Sequence, residues 1–107
     1  MTIMQGDSYK LSIQLCKADK SNLTPTDVNY VEISIGRLTK NSKNGAVTYD
    51  SENGLWLFPL TQEEAFNMYP GTPVKAQARV KWLSGDVEGI DLGMVSVYES
   101  ISKEVLS

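Results

Sequence analysis

The nine residues Val74 to Trp82, VKAQARVKW, alternate apolar and polar side chains along their whole length. Val74, Ala76, Ala78, Val80 and Trp82 share one side of an extended chain, and Lys75, Gln77, Arg79 and Lys81 share the other. Successive side chains of a strand point to opposite faces, so the stretch reads as a half-buried β-strand with a cationic outer face. The same period recurs elsewhere. In YKLSIQL (9–15), Tyr9, Leu11, Ile13 and Leu15 alternate with Lys10, Ser12 and Gln14. In VNYVEISIG (28–36), Val31, Ile33 and Ile35 alternate with Glu32 and Ser34, rich in the β-branched residues that suit a pleated surface.

Between these runs lie turn formers. CKADKSNLTPTD (16–27) carries Asp, Asn, Ser and Pro, and Pro25 keeps Thr24 out of helical geometry. Gly36 interrupts its strand, with RLTK expected to continue past a bulge or bend. NSKNG (41–45) has the chemistry of a hairpin loop, and SENG (51–54) joins the short strands AVTYD and LWLFPL. Pro59 cannot donate to a ladder, so LWLFPL is expected to end there or lie at a sheet edge. TQEEAFNMY (61–69) is the one helical candidate. Thr61 and Glu64 have capping-box spacing, Glu63 and Glu64 suit a helix N-terminus, and Pro70-Gly71 stops the helix after about two turns. LSGD (83–86) turns the chain back into VEGIDLGMVSVYES, with a bulge expected around Gly89 and Gly93. The tail, ISKEVLS (101–107), is too short to be stable alone. Six or seven short strands with frequent turns and a short helix linking two sheets predict an all-β, antiparallel β-sandwich forming a single domain over 1–107.

Composition narrows the function. A formal net charge of −3 argues against a protein that grips phosphate backbones. There is no histidine, which removes the commonest general base and metal ligand. The lone Cys16 has no partner for a disulfide and fits a reducing compartment. MTIMQGDSYK lacks the basic and apolar regions of a signal peptide, and no apolar run approaches the roughly 20 residues that span a bilayer. Glu63 and Glu64 are explained by capping, and Asp86, Glu88 and Asp91 lack the spacing of a calcium loop. Neither NGL nor LGM has the spacing of a phosphate-binding loop, and Cys16 has no activating neighbour. No catalytic, cofactor-binding or metal-ligating set is expected.

The cationic row Lys75, Gln77, Arg79 and Lys81 remains. It reads first as a solvated sheet face, second as a contact surface for a protein, and last as a nucleic-acid face, since no stacking aromatic shares its side. Trp56, Phe58 and Tyr69 read first as core or edge residues and second as interface anchors, and Trp56, Tyr49 and Tyr69 are candidate stacking platforms for a carbohydrate or another ligand.

In order along the chain, QGDSYKLSIQL, LTPTDVNYVEISIG, LWLFPLTQEEAFNMYPG, VKAQARVKWLSGDVEG and SVYESISKEVL resemble the small β-sandwich proteins of phage and prophage tail modules. The nearest named group is the immunoglobulin-like N-terminal domain of phage baseplate upper proteins. The resemblance implies a non-enzymatic structural or adaptor protein of a tail or baseplate. Its partners would be other tail or baseplate proteins, with homo-oligomers possible, and neither nucleic acid nor membrane. It would be made in a bacterial cytoplasm and carried in the virion.

Overall fold

The computed structural model describes residues 1–106. In chain order the elements are β1 (Thr2–Met4), β2 (Tyr9–Ile13), β3 (Val28–Ile35), β4 (Leu38–Asn41), β5 (Thr48–Asp50), β6 (Leu55–Leu60), α1 (Gln62–Phe66), β7 (Val74–Trp82) and β8 (Val87–Tyr98). A five-stranded sheet of order β1-β8-β7-β3-β4 faces a three-stranded sheet of order β2-β6-β5. The inward residues of both sheets, Val31, Ile33, Ile35, Ala76, Ala78 and Val80 against Leu11, Ile13, Trp56, Phe58 and Leu60, form one apolar cluster. The fold is an all-β, immunoglobulin-like sandwich.

The opening stretch behaves as its alternation demands. It is β7, the central strand of the larger sheet, antiparallel to both β3 and β8. The helix also forms where its cap residues require. Thr61 accepts a hydrogen bond from Glu64 N, and Glu64 Oε1 accepts one from Thr61 N at 2.9 Å, so the capping box is closed. The helix is one short turn and a half, and it carries the chain from β6 in one sheet to β7 in the other. The expected bulge falls at Gly93 (φ 86), where Ala76 opposes Gly93 but Gln77 opposes Asp91. Gly89 stays in regular register opposite Arg79.

Four local expectations are corrected. β1 carries no readable period in three residues, yet it pairs with β8, and does so in parallel. Gly36 (φ 59) is not a bulge within a strand but the first residue of a two-residue hairpin loop, a position where only glycine is unstrained. NSKNG does not close a hairpin, because β4 and β5 lie in different sheets. The loop instead crosses the sandwich and buries Val47 in the core. β6 runs through Pro59. β5 pairs only with Leu55, Trp56 and Leu57, so the missing N–H of Pro59 costs no ladder bond on that side, and the Pro59 carbonyl accepts from Lys40 Nζ at 2.7 Å.

Candidate interaction surface

The outward side of β7 lies in the middle of the larger sheet. Lys75, Gln77 and Arg79 are exposed and Lys81 is half-buried. Sheet register sets their neighbours. Gln77 lies between Ser34 and Asp91, Arg79 between Glu32 and Gly89, and Lys81 between Tyr30 and Val87. The row is thus cationic along the strand but bordered by carboxylates across it, a pattern that one strand's sequence does not reveal. Lys43 extends the positive edge, its Nζ standing 5.6 Å from the centre of the Tyr30 ring. Among the described residues the ion pairs are Lys17–Asp27, Lys40–Glu64 and Lys103–Glu99, so Lys75, Arg79 and Lys81 are bound in none.

The same face continues onto β8 and β1 as an apolar area. Met94 lies beside Lys75, and Met4 beside Tyr98. Met4, Met94 and Tyr98 are each about half exposed, at 49%, 51% and 56%. Sequence reading resumed the alternation at Val95 and Val97 past the bulge but did not single out the outward side chains there, and β1, at three residues, is too short to show a period. A scan restarted at Val95 and Val97, both buried, places Ser96 and Tyr98 outward.

Trp56 and Tyr69 part company. Trp56 is 2% exposed, and its Nε1–H donates to the Leu23 carbonyl at 3.0 Å. The ring packs against Tyr49, with centroids 5.1 Å apart. The indole is a core group with its one polar atom satisfied, so it presents no surface to a partner, and neither it nor the half-buried Tyr49 forms an exposed platform. Tyr69 is 80% exposed, in the short link between α1 and β7, and it lines the cleft beside Val74 and not the outer row of β7.

The sheet edges are less open than strand count suggests. On the free side of β1, Met4 N donates to Asp7 Oδ2 at 2.9 Å and Asp7 N donates to the Met4 carbonyl at 3.0 Å. Tyr9 Oη covers the Thr2 carbonyl at 3.3 Å. Burial, then the adjacent Asp7 carboxylate, raises the Tyr9 phenol above its ordinary value. Past β5, the exposed side of β6 is guarded by Pro59 and Lys40.

No family model matches the chain. Comparison with curated proteins finds similarity to the T-cell surface protein tactile of Mus musculus, 34% identical over 74 residues, which is 66% of this chain. The chain spans about 12% of that protein's length. This match overturns the resemblance to phage tail and baseplate proteins. With it go the tail-adaptor role, the baseplate partners, and the placement in a virion assembled in a bacterial cytoplasm. The relative carries the name of a surface protein, not of an enzyme.

Proposed function

We propose that this chain is a one-domain, non-enzymatic binding module of the kind used in cell-surface proteins. It recognises another protein through the outer face of β8, β7 and β3. The observation that carries this reading is the composition of that face: Lys75, Arg79 and Lys81, three cations outside any ion pair among the described residues, next to exposed Met94, Tyr98 and Met4. Arg, Met and Tyr are enriched at protein interfaces, and a flat apolar area beside charged groups suits a desolvated centre with a polar rim. The three cations of the row outnumber the flanking Glu32 and Asp91 while the chain as a whole carries −3, so an acidic partner is drawn to the row more than to the rest of the surface, which orients the encounter. The similarity to a T-cell surface protein supports the same reading.

The test is binding of a fluorescent streptavidin multimer of the chain to mouse lymphoid cells, read by flow cytometry. The reading expects saturable binding that trypsin treatment of the cells removes. A Lys75→Glu/Arg79→Glu variant should weaken it by about tenfold or more. Absence of binding, or equal binding by the variant, overturns it.

A further inference from the structure

A cleft of about 470 Å³ opens at one end of the sandwich, between the β3–β4 hairpin and the chain leaving α1. β5 begins only opposite Leu57, so no β5 residue pairs with β6 beyond that point, and α1 supplies Glu64 to the wall of the cleft. Ile35, Leu38, Met68 and Val74 line it with apolar surface, and Arg37 and Tyr69 stand at its mouth, both exposed. Its size lies within the roughly 300–1,000 Å³ of sites that enclose a ligand group, and an apolar lining with few polar groups is their usual make-up.

The charges of the cleft decide what it can take. Glu64 lines the wall, but Lys40 Nζ sits 2.9 Å from its Oε1, and the same oxygen accepts from Thr61 N. That carboxylate is neutralised by the lysine and held in place by the cap. Arg37 makes no ion pair or side-chain hydrogen bond among the described residues, and its position on a two-residue turn keeps it at the rim. The uncommitted charge of the cleft is therefore a single cation above an apolar floor. A guanidinium presents a planar fork that matches a carboxylate.

We propose that this cleft is a second recognition site, which seats one apolar side chain from an acidic segment of a partner protein while Arg37 holds the adjoining carboxylate. The proposal rests on the protein-binding reading above but uses different residues, so the two fail separately.

The test is a titration of the ¹⁵N-labelled chain with the peptide acetyl-Asp-Phe-Asp-amide, followed by amide chemical shifts. Two comparison peptides replace both Asp by Asn, or Phe by Ser. Shifts are expected at residues 36–38 and 67–69, with each comparison peptide about fivefold weaker or more, the worth of one exposed charge pair or a lost apolar anchor. Arg37→Gln, on an exposed turn, is expected to reduce the acidic peptide to the level of its Asn counterpart, whereas the Lys75→Glu/Arg79→Glu variant leaves the titration unchanged. Equal responses to all three peptides, no shifts at about 5 mM peptide, or shifts confined to β7 and β8 overturn the proposal.

Discussion

Glu64 joins three parts of the molecule through one carboxylate. It closes the capping box with Thr61, accepts from Lys40 on the edge strand β4, and walls the cleft. Lys40 itself lies on the inward side of β4 and reaches past the Phe58 ring, 5.3 Å from its centre, to the Pro59 carbonyl. Burial alone would raise the Glu64 carboxyl. The bonds from Lys40 and Thr61 outweigh it and hold the group below its ordinary value. Glu64→Ala removes the cap acceptor and leaves a half-buried ammonium without its partner, and should cost about 2 kcal/mol in urea unfolding. Glu64→Gln keeps an oxygen for Thr61 N and loses only the charge, so about half that loss is expected. Equal losses from the two variants would show that the cap contributes nothing beyond the ion pair.

At the scale of elements, the larger sheet ends in a strand of three residues that is held on one side by β8 and on the other by the turn after it. Gln5 N donates to the Tyr98 carbonyl and Ser96 N to the Met1 carbonyl, tying β1 to β8. Asp7 folds back to occupy the other side. This arrangement leaves little of β1 for an added strand, and it points recognition toward a face and not that edge. Asp7→Ala should cost about 1 kcal/mol, and the Met4 amide should exchange with solvent faster than in the parent chain. The Tyr9 phenol should ionise at lower pH in this variant, because a neighbouring negative charge has gone. An unchanged Met4 exchange rate would show that the edge is protected by something other than Asp7.

Stability of the whole molecule should follow its loops as pH falls. Asp19 is lowered first by the Ser21 hydroxyl, Asp27 by the Thr24 amide and Asp50 by the Asn53 side chain, and Glu64 joins them. A carboxyl whose folded pKa lies below its unfolded value contributes stability that is fully present above the unfolded value. That contribution is lost as pH falls through the folded one. With unfolded values near 4, the melting temperature should be flat from neutrality down to about pH 5 and then decline. A melting temperature that rises on acidification below that point would contradict the assigned direction. Three of the four groups lie at the β2–β3 and β5–β6 connections and the fourth, Glu64, lines the cleft, so both ends of the sandwich should contribute to the loss.

The sequence by itself determined the pieces governed by local rules. Period-two alternation in β2, β3 and β7 settled most of the buried residues, Tyr9 excepted, which is 43% exposed at the start of β2, and the Thr61–Glu64 spacing settled where the helix begins, because both depend on backbone geometry within a few residues. The exposed places of Lys75, Gln77 and Arg79 were legible for the same reason. Trp56 was legible only as core or edge, since LWLFPL is apolar at every position and no period assigns a face; the bond from its N–H to the Leu23 carbonyl in a distant loop fixes it inward. Only tertiary structure decided that NSKNG crosses between sheets, that β1 joins β8 in parallel, and that carboxylates and apolar side chains from other strands flank the cationic row. Which strands become neighbours depends on closing the chain around one shared core, and no period within a single segment records that choice.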